Sequence, residues 1–483
     1  MRYAGMLPCK RPGLTNNAAS PHARRGAPAA RMRAILFASA CLALSFATYA
    51  KVFKTPHAVS KSDATLSATY PDSYLPLHPK LCGSGWQAEY ARTHAAILRN
   101  ASAPRFLRAR PMAGLGNSLN GMLSLFYVAL LTNRALLVHG TPDDALEQWV
   151  EPWLLPFING DYSWGFEPAN VNWAWNSSIL TSYPTRRSNM GWGERENSWG
   201  GHDADGKLLA QTMRGGNLRD FHADAAVLEI VSAVQYTSEI FANPHHKRQL
   251  FAWGLRPETA MGCAFHYLFK PTPSMMQNFG DQFATLTDPS TLKIGLHARL
   301  GDHGFFEDRL KSNATKPCPA MASCRAANAS LSEDEYYGSK FGHFFQCAQD
   351  IESHFALPGQ PALWYVISDN VGFRAYAKRT YGAKVLTKVD DLPLVNMAFL
   401  GEVQQEAKKR LGFEAAAAEF ISFSKADYHI MTDWSTFSNT AAAASLQWKS
   451  MVRIDLEPWW GPGGWPGCAR AGGHILQYPF DAL

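Results

Sequence analysis

Three short polar clusters carry residues of the right types to grip an anion. His297-Ala298-Arg299-Leu300-Gly301-Asp302 closes an alternating run. A guanidinium placed there can hold a diphosphate through paired, charge-assisted hydrogen bonds and stabilise it as it departs. The alternative is a structural Arg–Asp pair at a turn. Asp433-Trp434-Ser435-Thr436-Phe437-Ser438-Asn439-Thr440 runs directly into Ala441–Ala444, so its hydroxyls stand where a strand turns into a helix. There they either cap the helix or leave its N–H groups and dipole to an anion. Gly114-Leu115-Gly116-Asn117 precedes an apolar helix as a phosphate loop would. It lacks the third glycine of a dinucleotide fingerprint and the Gly-Lys-Ser/Thr of a P-loop, so a tight turn with close backbone packing is the simpler reading.

The elements that must position these clusters follow a βαβ rhythm. Arg105–Arg110 reads as a strand, Met112–Asn117 as a glycine-rich turn, Ser118–Thr132 as a strongly apolar helix, and Ala135–Val138 as a short strand. A membrane span over 121–138 is the rival, but Asn133 and Arg134 would then sit near its middle. A second series runs from Lys293–Leu300 through Leu363–Ile367, Phe373–Tyr381, Lys384–Leu386, Glu402–Phe423, Tyr428–Met431 and Thr440–Trp448. Strands alternating with helices predict an α/β fold with a mainly parallel sheet covered on both faces. In that architecture ligands sit beyond the carboxyl ends of the strands, which points at His297–Asp302, Ser368-Asp369-Asn370 and Asp433–Phe437. Residues 149–285 show no comparable order. Seven of the fifteen tryptophans (149, 153, 164, 173, 175, 192 and 199) fall within residues 149–199, suited either to a loop-rich core or to stacking on sugar rings.

Composition narrows the function. The chain has 483 residues, enough for two or three domains, and 46% of them are apolar. Its net charge of +6 arises in residues 1–62, which hold ten Lys/Arg and no acid; the remainder carries 36 bases against 40 acids. That balance argues against a nucleic-acid binder. Residues 1–33 read as a basic cytosolic tail, 34–50 (AILFASACLALSFATYA) as a membrane-anchoring segment, and 51–80 as a stem. A cleaved signal peptide ending at Thr48-Tyr49-Ala50 and an organellar transit peptide compete with the anchor. Six cysteines (Cys82, Cys263, Cys318, Cys324, Cys347 and Cys468) follow the anchor, which suits up to three disulfides in an oxidising lumen, with pairing undetermined. Sequons at Asn100, Asn176, Asn313 and Asn328 also follow it. His202-Asp203-Ala204-Asp205 contains an Asp-x-Asp of the kind that holds a divalent metal in many sugar transferases. It follows Trp199-Gly200-Gly201 rather than an apolar strand, so a solvated loop is expected, and no metal site.

Four ordered blocks resemble the plant xyloglucan fucosyltransferases. Ala113–Val138 (AGLGNSLNGMLSLFYVALLTNRALLV) resembles the family's N-terminal block, and Phe265–Pro273 (FHYLFKPTP) a second one. Ile294–Leu300 sits where the family has its strand with a nucleotide-binding Arg, and Glu419–Ile454, with Trp434-Ser435-Thr436-Phe437, is similar to its C-terminal block. The family usually has Gln-x-Arg without a following Gly-Asp; His297-x-Arg299-x-Gly301-Asp302 is nearer the wider group of α1,2-, α1,6- and protein O-fucosyltransferases. Ser118 also replaces an Arg common in the family.

The resemblance implies a GT-B-like fold, two Rossmann-like domains facing a cleft. An acceptor-side domain would span 81–285, a nucleotide-sugar domain 286–470, and a tail 471–483. It implies a metal-independent, inverting transferase moving L-fucose from GDP-fucose to a glycan hydroxyl, with no cofactor beyond that donor, held in the Golgi membrane with its body in the lumen. Arg299 would hold the β-phosphate, and Ser435, Thr436 and Phe437 would line the diphosphate site. His297 and Asp369 would lie near the guanine, with Asp302 and Ser368 also on the donor side, and Gly114, Gly116 and Asn117 would shape the cleft. The base is left open among Asp302, Glu307, Asp308 and an acceptor-domain carboxylate. Rival readings are another GDP-sugar donor, a protein O-fucosyltransferase, and a non-catalytic glycan-binding protein on the same fold.

Overall fold

The computed structural model describes residues 79–111, 114–138, 165–173, 183–189, 204–300, 332–388, 406–432, 435–447, 450–454 and 468. The basic tail, the anchor segment and residues 51–78 of the stem lie outside them, as do Asp302, Glu307, Asp308, the C-terminal tail, and the Asn176, Asn313 and Asn328 sequons.

Along the chain the elements are α1 (Trp86–Leu98), β1 (Phe106–Pro111), α2 (Leu115–Thr132), β2 (Ala135–Val138), β3 (Phe166–Pro168), β4 (Thr185–Asn189), α3 (Ala204–Gly215) and β5 (Val227–Ser232). Two short helices follow, and then α4 (Pro257–Leu268), β6 (Phe269–Pro271), α5 (Pro273–Thr287) and β7 (Leu292–Ala298). The remainder comprises α6 (Glu333–Phe355), β8 (Ala362–Ser368), α7 (Val371–Tyr381), β9 (Val385–Leu386), α8 (Glu406–Ser424), β10 (Tyr428–Thr432), α9 (Thr436–Ala444) and β11 (Met451–Ile454). They build two parallel sheets, ordered β2-β1-β5-β4 and β11-β10-β7-β8-β9, beside a small antiparallel pair, β3-β6. β7 is central in its sheet and buried along its whole length, as a parallel strand covered on both faces must be.

α2 is a core helix. All of it except Leu115 and Asn117 is buried. Asn133 ends it in the left-handed region, φ 52°, which Asn tolerates better than most residues. The charge that follows is met by backbone carbonyls: the fully buried Arg134 guanidinium donates to those of Ala225 (2.8 Å) and His222 (2.9 Å). The helix begins at Leu115, three residues earlier than its apolar run, so Gly116 belongs to its first turn.

In the stretch that sequence periodicity left unordered, β5 (VLEIVS) carries a charge in an otherwise apolar run. The Glu229 carboxylate, fully buried, is ion-paired with Arg108 on β1 (2.8 Å) and Arg187 on β4 (3.0 Å) and accepts a hydrogen bond from Arg110 Nη1 (3.3 Å). Trp173, the one of those seven tryptophans among the described residues, is buried with its indole donating to Leu268 O at 2.7 Å, so it belongs to the core. Cys82 pairs with Cys263 and Cys347 with Cys468; Cys318 and Cys324 lie outside the described residues.

α9 joins the two sheet systems. It packs on α2 and α4 from one system and on α8 and β10 from its own. Thr440 Oγ1 donates to Asn120 Oδ1 at 2.5 Å, and the His266 ring nitrogen Nε2 lies 2.7 Å from Ala444 O. A methyl on Gly262 would lie 2.6 Å from Ala443 O, so that glycine lets α4 and α9 touch.

Burial shapes the acid response. It pushes the imidazoles of His266 and His429 down to about 4 and, together with Arg299 and Arg374, that of His297 to about 3. The unfolded chain, with histidines near 6.5, therefore binds protons the native state refuses. Stability from these groups is full above about pH 6.5 and is lost as pH falls toward 4. At roughly 1.4 kcal/mol per pH unit for each histidine, urea unfolding should weaken by up to about 4 kcal/mol per unit between pH 6 and 5. A midpoint that stays fixed over that interval, where surface carboxylates have yet to titrate, would contradict it.

Candidate active site

The carboxyl edge of the larger sheet collects three of the polar clusters. Register explains why. β10, β7 and β8 are neighbours; His297 pairs with Met431 on one side and Ile367 on the other, and Ala298 stands level with Ser368. The three strands end at Ala298, Ser368 and Thr432, so Arg299 and Asp369 follow directly on adjacent strands and Ser435 lies three residues beyond the third.

Hydrogen bonds fix these turns to one another. Arg299 N–H donates to Thr432 Oγ1 (2.9 Å), which donates in turn to His297 O (3.1 Å), stitching β7 to β10. Leu300 N–H donates to Asp369 Oδ1 (2.8 Å), and Asp369 Oδ2 pairs with Arg299 Nη1 (3.3 Å). Asp369 is thus a clamp on both the backbone and the guanidinium. Its side chain is 4% exposed against 28% for Arg299, so the cation is the member of the pair that reaches the surface. An Arg–Asp pair does exist, with a carboxylate from the neighbouring strand end. Asp302, the acid within the sequence motif, lies outside the described residues.

At the end of β10 the chain enters α9 at Thr436, four residues ahead of the sequence expectation. The polar first turn hid the start of the helix. Ser435 is its N-cap, yet its hydroxyl does not cap a helix N–H; Ser435 N–H instead donates to Thr432 O (3.2 Å). The positive end of the helix dipole therefore opens beside the same Thr432 that holds Arg299, an arrangement suited to an anion. Thr436 is half-buried and Ser435 buried.

Several expected contacts take a different form. His297 is 5% exposed, its ring 5.5 Å from the Phe437 ring at 33° and 6.3 Å from Phe423. It is a packed imidazole rather than an open platform, and its Nδ1 finds no hydrogen-bond partner among the described residues. Phe437 serves as the wall of that packing. Ser368 donates its hydroxyl to Ala298 O (2.7 Å) and receives Asn370 N–H (3.2 Å). That hydroxyl, on a residue 2% exposed, ties strand ends together.

The glycine loop divides in two. At Gly116 a methyl would run into the backbone N of Phe437 and lie 2.7 Å from the carbonyl carbon of Thr436. Gly116 thus seats α2 directly on the first turn of α9. Gly114 has φ −62° and open space around it, so nothing there requires glycine, and Asn117 is half-buried. In the Asp-x-Asp segment, Asp205 sits in the first turn of α3 and pairs with His222 Nε2 (3.3 Å); Asp203 is outside the described residues. Among the described residues no group of three or more His, Cys, Asp or Glu could hold a metal ion.

Sequence reasoning missed Thr432, Arg374 and Glu419, and it pointed at Asn370 only as part of a turn. Thr432 was discoverable as the last residue of a strand whose turn had been singled out. Asn370 was visible as a helix N-cap, and its Oδ1 accepts Phe373 N–H (2.9 Å) and Tyr337 O–H (2.9 Å). The Arg374–Glu419 pair spans 45 residues and had no local signal.

Gly116→Ala should destabilise the fold by about 1–3 kcal/mol through overpacking, while Gly114→Ala should be neutral. Thermal unfolding of the two variants decides this; equal midpoints would remove Gly116 from the contact.

No family model matches the chain, and no curated protein matches it. Its structure is similar to that of a variant of Arabidopsis thaliana FUT1 in complex with GDP, at 14% identity and a TM-score of 0.45 over 79% of this chain and 78% of that one. It is also similar to fucosyltransferase NodZ from Bradyrhizobium, at 14% identity and TM-score 0.41 over 74% and 97%. A third similar structure is POFUT1 in complex with GDP, at 11% identity and TM-score 0.33 over 71% and 96%.

Proposed function

We propose that this chain is an inverting, metal-independent glycosyltransferase that moves L-fucose from GDP-fucose to a hydroxyl of a glycan, working in the Golgi lumen behind a single membrane anchor. The observation that carries the reading is the convergence of Arg299, its Asp369 clamp and the uncapped N-terminus of α9 on neighbouring strand ends. The four ordered sequence blocks supply the donor's identity, and the fucosyl assignment rests on them.

Transfer breaks the bond between the sugar's C1 and the β-phosphate oxygen, with positive charge growing on the ring. The electron pair leaves with GDP. A guanidinium and helix N–H groups already aimed at the departing diphosphate stabilise that charge without reorganising, which is the most effective way a site lowers such a barrier. An acceptor oxygen attacks C1 from the opposite face, inverting it, and releases its proton to a base. Asp369 is committed to Arg299 and Leu300 and is a poor choice for that base; Asp302, Glu307, Asp308 and the acceptor-side carboxylates are the candidates. The Gly-Asp after Arg299 favours, as a second reading, an acceptor typical of the wider fucosyltransferase group, including protein Ser or Thr.

Calorimetry of the full chain should show GDP binding and no comparable UDP binding, unaffected by EDTA. UDP binding in place of GDP would overturn the donor assignment. Arg299→Ala should lower kcat by about 10²–10³, equivalent to roughly 2.7–4 kcal/mol, with the unfolding midpoint little changed. Full turnover by that variant would remove Arg299 from the reaction.

A further inference from the structure

One buried ion pair lies behind the edge. Arg374, on the first turn of α7, is 1% exposed, and both terminal nitrogens of its guanidinium donate to the Glu419 carboxylate of α8, Nη2 to Oε2 at 3.0 Å. Its remaining nitrogen, Nε, donates to Ser368 O at 2.6 Å. Glu419 is 7% exposed, and it holds the Arg374 guanidinium in its charged form against the opposing effect of burial.

We propose that Arg374 and Glu419 are positioning residues that aim Arg299 through the Ser368-Asp369-Asn370 turn. The inference rests on the reading of this edge as the donor diphosphate site. A guanidinium is planar and rigid, so a carboxylate that fixes two of its nitrogens fixes the third as well. Here the third holds the carbonyl immediately before Asp369, and Asp369 in turn holds Leu300 N–H and the Arg299 guanidinium. Tyr337, donating to Asn370 Oδ1, braces the far side of the turn. The path Glu419–Arg374–Ser368–Asp369–Arg299 is continuous through hydrogen bonds, one peptide unit and one ion pair.

Packing alone does not require charge at this place. Buried ion pairs are commonly replaced by apolar side chains of similar volume with no loss of stability. An apolar pair fills the space but cannot direct a carbonyl. A role in aim and a role in filling space therefore make different predictions for the same variant.

The test is the double variant Arg374→Met with Glu419→Leu in the full chain, titrated with GDP and with GMP. In the native protein GDP should bind more tightly than GMP, because the β-phosphate adds the Arg299 contact. In the variant that GDP/GMP preference should fall by about tenfold, the order of one charge-assisted hydrogen bond, while GMP affinity and the unfolding midpoint hold. Adding Asp369→Asn to the double variant should then lower the preference much less than Asp369→Asn does in the native protein, since both act along one path. An unchanged preference in the folded double variant overturns the proposal. Equal loss of GDP and GMP binding also overturns it, since that is what a merely structural role produces. Should the double variant not fold, Glu419→Gln, which preserves volume and an acceptor, carries the same measurement. A native protein that does not distinguish GDP from GMP would overturn the donor-site reading and, with it, this one.

Discussion

The clamp of Asp369 on the Arg299 turn is the interaction on which the candidate site depends. One carboxylate takes the Leu300 N–H and the Arg299 guanidinium, so the backbone and the side chain of the β7 turn are set by the end of β8. On the other flank Thr432 sets the same turn from β10. A long, mobile cation would otherwise lose considerable rotamer freedom on binding a ligand; held between two strand ends, much of that cost has been met in folding. In-register parallel pairing makes this possible, because it brings three strand ends to one level.

The second constraint is the seat of α9. Its first turn faces the site while its body packs on α2 and α4, with Gly116 and Gly262 permitting backbone-to-backbone approach and Thr440–Asn120 adding a buried hydrogen bond. Elements of the two sheet systems therefore meet at α9. A change in that packing would move the candidate site itself.

Much of this architecture was legible in the chain. The αβ alternation after residue 290 stood out because parallel strands buried on both faces are short apolar runs, and α2 because its apolar run stops at Asn133. Boundaries were less legible where polar residues open a helix: the hydroxyl-rich start of α9 and the glycines at the start of α2 read as loop. β4 and β5 escaped because Glu229 interrupts the apolar pattern, and its compensating arginines come from other strands. At the candidate site, Arg299 and Asp369 stood out from their position after strands. The roles of Ser368 and His297, one spent on strand ties and the other packed between aromatic rings, depend on neighbours distant in sequence.

The most direct test is amide hydrogen exchange of the full chain with and without GDP. If the diphosphate is gripped where the strand ends meet, GDP should slow exchange at residues 298–300, 369–370 and 435–438 together, leaving the β1–β5 sheet unchanged. Protection confined to other segments, or to one of these three alone, would contradict a shared anion site at this edge.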